Sequence, residues 1–112
     1  MKKSYSEEMR ALLEEIVKKL VENIDVRKIA LFGSYSTGTY TKDSDLDLFV
    51  IAETKEKGIK RHAYISKLLE PRKIPMDIIV KTPDEIKKRA NYFDPFITNI
   101  NKNGKVLYEK KA

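Results

Sequence analysis

Met9, Leu12, Leu13, Ile16, Val17, Leu20 and Val21 recur at alternating steps of three and four, which lays one apolar stripe along a helix. Ser4 and Glu7 have capping-box spacing, so this helix is predicted from near residue 5 to near Asn23. Its other face, with Glu14, Glu15, Lys18, Lys19 and Glu22, stays in water. Three short runs of strand character follow. Ile29-Ala30-Leu31-Phe32 is continuously apolar and stopped by Gly33, the pattern of a strand covered on both faces. Leu46 to Ala52 is the second run and Met76 to Val80 the third. Between those two, Lys57 to Glu70 carries Ile65, Leu68 and Leu69 at helical spacing, with Pro71 just beyond. A strand, a crossover helix and another strand make the second and third strands parallel.

The last third opens with Thr82-Pro83-Asp84-Glu85, where Thr is placed to cap a helix, Pro to start it and Glu to return the bond. Another helix is predicted after Asp94-Pro95, ending at Asn103-Gly104, and Lys105 to Glu109 is predicted as a short edge strand. No repeat, linker or low-complexity tract interrupts this order, which predicts one α/β domain over residues 1–112.

Composition narrows the chemistry. With 112 residues, 41% hydrophobic and 36% charged, the chain has material for one modest core. It has no cysteine and a single histidine, His62, so thiolate catalysis, Cys-based zinc sites and multi-histidine metal sites are excluded. No apolar run approaches the roughly 20 residues of a membrane span, and MKKSYSEEMR has no apolar stretch of a signal peptide, so a cytoplasmic protein is expected. The net charge of +6 favours a polyanionic partner. The lysines are scattered in pairs without interleaved aromatics, however, and direct nucleic-acid binding is not expected. His62 and Arg61 are expected on a solvated helix face.

The informative stretch runs from Gly33 to Val50. Gly33-Ser34 closes a buried strand, and ten residues later Asp45-Leu46-Asp47 opens another. Two residues apart on a strand, Asp45 and Asp47 project from one face about 6–7 Å apart. Acidic residues are depleted in strands and seldom buried unless paired. Asp77, inside Met76-Asp77-Ile78-Ile79-Val80, repeats the anomaly, and parallel pairing of the second and third strands would set it beside the other two. Carboxylates about 4 Å apart repel by roughly 4 kcal/mol at an effective dielectric of 20, which makes a divalent cation the natural partner. Two such ions fit an in-line phosphoryl displacement. Glycine permits close approach of a phosphate, and serine can cap the turn that follows. No Gly-Lys-Ser/Thr follows, so this is not a P-loop. For Gly33 to meet Asp45, the first two strands must be antiparallel, which implies a mixed sheet in the order one-two-three, with a possible fourth strand at an edge.

Gly-Ser, ten residues, Asp-x-Asp and a later strand Asp resemble the signature of the DNA polymerase β-like nucleotidyltransferase superfamily. The leading helix and the ending Gly104-Lys105-Val106-Leu107-Tyr108-Glu109 are similar to its minimal nucleotidyltransferase (MNT) branch. The resemblance implies that Gly33 and Ser34 hold the triphosphate of ATP, and that Asp45 and Asp47 bind two Mg²⁺ ions. Asp77 would complete the metal site and assist deprotonation of an acceptor hydroxyl. It further implies a protein adenylyltransferase that acts as the antitoxin of a toxin–antitoxin pair, moving AMP to a tyrosine of a HEPN-domain partner encoded by a neighbouring gene. The alternative is a catalytically weak nucleotide-binding antitoxin that neutralises its partner by contact alone. Where many relatives carry a basic residue after Gly-Ser, this chain has Tyr35-Ser36-Thr37, and Lys42 is the nearest cation downstream. Tyr35 and Tyr40 are placed either to stack on a nucleobase or to pack over the core.

Overall fold

The structure is a computed structural model and describes residues 5–89 and 95–111. Its elements are α1 (Glu7–Asn23), β1 (Asp25–Phe32), α2 (Ser34–Thr37), β2 (Leu46–Glu53), α3 (Gly58–Leu68), β3 (Met76–Lys81), α4 (Pro83–Arg89), α5 (Pro95–Asn103) and β4 (Lys105–Glu109). The four strands form one mixed sheet in the order β3-β2-β1-β4. β1 is antiparallel to β2 and β4, and β2 is parallel to β3 through the α3 crossover. This is the predicted one-two-three order with a fourth strand added at the β1 edge.

Strand alternation decides where everything sits. Leu46, Leu48, Val50 and Ala52 of β2 face one side, where they join Leu12, Leu13, Ile16 and Leu20 of α1 and Ile65 of α3. Phe49 and Ile51 face the other side with Ala30, Ile79, Ile86, Ile97 and Ile100, under α4 and α5. Burial on both faces explains the continuous apolar run of β1. Asp47 falls in the Phe49–Ile51 row and Asp77 in the Ile79 row, each at the end of an otherwise apolar face.

Beyond shifts of one or two residues at the ends of α3, β2 and β3, three boundaries differ from the sequence reading. The α1 cap is Ser6, whose hydroxyl accepts the Met9 N–H at 3.0 Å; Ser4 lies outside the described residues, as does Asp94. β1 starts four residues before the Ile29 run, because Asp25 pairs with Glu53 at an exposed strand end where no apolar residue is needed. Asp45 stands immediately before β2 rather than within it. The Thr82–Glu85 box is made as read: Glu85 N–H donates to Thr82 Oγ1 at 3.1 Å, and Thr82 N–H to Glu85 Oε1 at 2.8 Å.

Arg61 is not on a solvated face. It is 7% exposed, with Nε donating to Thr54 Oγ1 and the Glu56 carbonyl, both at 3.1 Å. Its Nη1 donates to the Val80 carbonyl at 3.3 Å and to Glu85 Oε1 at 2.7 Å. A buried guanidinium requires this many acceptors, and here they come from the β2–α3 loop, the end of β3 and the start of α4. Arg61 therefore ties three elements together at the end of the sheet remote from Asp77. His62 is exposed, as expected.

Candidate functional site

The site gathers where β1 ends and where β2 and β3 begin. Parallel register sets Asp47 directly beside Asp77, and antiparallel register sets Asp47 opposite Phe32, one residue before Gly33. Gly33 then turns the chain at φ 71°, ψ −152°, a conformation that side chains other than glycine's scarcely adopt. A β-carbon built on Gly33 would strike Asp47 Oδ2 and lie 3.2 Å from Asp47 Cγ. The backbone thus passes against the carboxylate, and only glycine permits it.

The turn is held from behind. The Gly33 carbonyl accepts the Ser36 hydroxyl at 2.9 Å and the Ser36 and Thr37 N–H groups at 3.1 and 3.3 Å. α2 ends at Gly38, in the left-handed region at φ 80°, where its N–H returns to the Ser34 carbonyl at 3.0 Å. No side chain caps the start of α2. Between α2 and β2, Thr41 N–H donates to Ser44 Oγ at 2.8 Å and Asp43 N–H to Thr41 Oγ1 at 3.3 Å, so a closed turn carries Lys42 and leads straight into Asp45.

Electrostatics register the crowding of acids. Burial, then Asp77, then Asp45 push the Asp47 carboxyl above its ordinary value of 3.8. The three sequence-predicted carboxylates therefore share one electrostatic neighbourhood, with Asp47 half-buried at its centre and Asp45 and Asp77 exposed on either side. Among the described residues, no three acidic, histidine or cysteine side chains are drawn into a ready-made metal cage. The donor set nevertheless fits Mg²⁺, which keeps several waters and binds through one or two carboxylates and substrate phosphates.

Tyr35 and Tyr40 stack on each other rather than standing free, with ring centroids 4.5 Å apart and planes at 9°. Tyr35 is buried against the α1 side of the core. The sequence reading missed Tyr5, whose ring lies 6.0 Å from Tyr40 and whose hydroxyl donates to the Tyr35 carbonyl at 2.5 Å. Burial, then Tyr40 and Tyr35, push the Tyr5 phenol up. Nothing local marks Tyr5, since its acceptor is a backbone carbonyl 30 residues away. Ser36 was also missed as a support; a hydroxyl three residues after a strand-ending glycine is the signal that could have found it.

Among the described residues no helix is long and apolar enough to cross a membrane. The family model of the nucleotidyltransferase domain matches residues 12–108. MJ0604 of Methanocaldococcus jannaschii, provisionally named a protein adenylyltransferase, is 31% identical over 74% of this chain and 79% of its own. Protein adenylyltransferase MntA of Thermococcus cleftensis is 35% identical over 68% of this chain and 77% of its own. Among solved structures, a chain of a toxin–antitoxin complex with AMP-PNP superposes with a TM-score of 0.63 at 27% identity, covering 88% of this chain and 74% of that one. With a match of this extent, laid over a sheet that turns at Gly33 against Asp47, the chain belongs to the nucleotidyltransferase domain family and is an enzyme of the nucleotidyltransferase type.

Proposed function

We propose that the protein moves AMP from ATP, with Mg²⁺, to a tyrosine hydroxyl of a HEPN-domain toxin and is the antitoxin of that pair. The observation that carries this reading is the side-by-side register of Asp47 and Asp77 against the Gly33 turn. The protein adenylyltransferase name of the Thermococcus cleftensis relative and the toxin–antitoxin neighbour with AMP-PNP support the reaction and the setting. The HEPN nature of the partner follows from the sequence resemblance, as does a single catalytic domain over residues 1–112.

In this reading Asp45, Asp47 and Asp77 hold two divalent cations, which supply charge neutralisation to the attacking and leaving oxygens of phosphoryl transfer. Gly33 and Ser34 hold the triphosphate. The glycine exposes backbone where a side chain would block approach, and the Ser36 bond to its carbonyl keeps that backbone fixed before substrate arrives. Asp77, exposed at the rim, accepts the proton of the incoming hydroxyl. α2 has no cationic side chain to grip the triphosphate, so binding leans on backbone and metal, and Lys42 on the adjoining turn is the next cation along the chain.

The deciding experiment is incubation with labelled ATP, Mg²⁺ and the HEPN protein encoded alongside this chain. Label on the partner that disappears in an Asp45→Ala/Asp47→Ala double variant is the expected result. The absence of α2 cations favours one second reading, neutralisation by contact alone. Toxin neutralisation that survives the double variant, with no label transferred by the wild type, would establish that reading instead.

A further inference from the structure

We propose that the cavity of about 780 Å³ between α1, α2 and the α5–β4 junction binds a mononucleotide-like phosphomonoester at a site separate from the carboxylates. Neither the three acids nor Gly33 and Ser34 line it. The acids sit on the α4–α5 side of the sheet, whereas Leu13 and Tyr35 of the cavity wall belong to the core on the α1 side. The volume falls within the roughly 300–1,000 Å³ of small-molecule sites.

The lining specifies the chemistry. Arg10 and Lys105 bring two cations against one carboxylate, Glu14, and Arg10 forms no ion pair among the described residues. A guanidinium unpaired among the described residues matches the oxygens of a terminal phosphate. The Lys105 ammonium lies 4.2 Å from the centre of the Tyr5 ring, which holds that charge in place. Tyr5 is itself fixed by its bond to the Tyr35 carbonyl. Asn103 Nδ2 is committed to Asn99 Oδ1 at 2.5 Å, which leaves Asn103 Oδ1 as an acceptor. With the Glu14 carboxylate it supplies acceptors for an amino group, so the pocket combines phosphate donors with amine acceptors.

The test is amide NMR of the full chain in EDTA, titrated with AMP and separately with inorganic phosphate. EDTA removes the divalent cations that the carboxylate site requires, so the outcome is independent of the adenylyltransferase reading. AMP is expected to shift Arg10, Glu14, Asn103 and Lys105, and phosphate to shift the same residues more weakly. Arg10→Glu and Lys105→Glu should each weaken AMP binding at least tenfold with the remaining spectrum intact, and Arg10→Lys should retain most of it. Shifts confined to the neighbourhood of Gly33, Asp47 and Asp77, no shift with either probe, or binding unchanged in both charge reversals would overturn the proposal.

Discussion

The Asp47 carboxylate occupies the space that a β-carbon on Gly33 would need. The relationship follows from register, because Phe32 pairs with Asp47 and the next residue must turn away over it. Gly33→Ala therefore meets two penalties, a collision with Asp47 and a backbone of φ 71° that alanine resists. Strain of this kind costs about 1–3 kcal/mol. AMP transfer should fall by about 100-fold, since a displacement near 1 Å at a reacting centre is enough for that. Thermal melting and labelled-AMP transfer measure the two effects separately. A variant with wild-type transfer would mean that the close approach has no part in the reaction.

Repulsion among the acids predicts opposite effects on stability and activity at Asp47. Burial, Asp77 and Asp45 all oppose its charge, so Asp47→Asn removes an unfavourable group. In EDTA the variant should be more stable by about 1 kcal/mol, the scale of a partly solvated charge pair. Transfer should be lost. Adding Mg²⁺ or Mn²⁺ should raise the melting temperature of the wild type and leave Asp47→Asn nearly unmoved. Equal stabilisation of both proteins by the cation would show that Asp47 is not a ligand.

The legible part of the molecule was the part encoded by short-range pattern. An apolar run ending in Gly33, a second run headed by Asp45 and Asp47, and a crossover helix were enough to set Asp77 beside Asp47, because a parallel pair leaves few registers once one face is buried. Arg61 was not legible. A basic residue between Lys60 and His62 looks solvated by local composition, and its acceptors at Thr54, Glu56, Val80 and Glu85 converge only after the chain folds. The Tyr5–Tyr35 bond was hidden for the same reason. At the start of α1 the capping-box spacing pointed to Ser4, and the structure uses Ser6.

Arg61 predicts an acid-sensitive joint. Burial by itself would raise the Glu85 carboxyl, but the Thr82 N–H and the Arg61 guanidinium outweigh it and hold the group below its ordinary value of 4.5. A carboxyl lowered in the folded state stabilises above its unfolded pKa, and that stabilisation is lost as pH falls through the lowered value. Denaturant unfolding between pH 7 and pH 3 should show this loss in the wild type and a shallower acid limb in Glu85→Gln. At pH 7, Arg61→Ala should cost about 2 kcal/mol, because it removes a buried side chain and its charge-assisted bond to Glu85. Its transfer activity, measured where the variant is folded, should stay near wild type, since Val80 lies beyond Asp77 on β3.

Gly104 is required for space rather than for backbone freedom. A β-carbon there would lie 2.5 Å from the Ile100 carbonyl oxygen and 3.1 Å from that of Leu31, both main-chain atoms that cannot swing aside. The Ile100 carbonyl is already held by the Gly104 N–H at 2.8 Å, which closes α5 as β4 begins. Lys105 then pairs with Leu31 and Val106 with Ala30, so displacement at Gly104 passes directly into the β1–β4 ladder. Gly104→Ala should destabilise the protein by about 1–3 kcal/mol, as overpacking does. Hydrogen exchange should quicken at Val106 to Tyr108 ahead of the amides of β2, which pairs on the far side of β1. Uniform acceleration across all four strands would instead indicate that β4 unfolds only with the whole sheet.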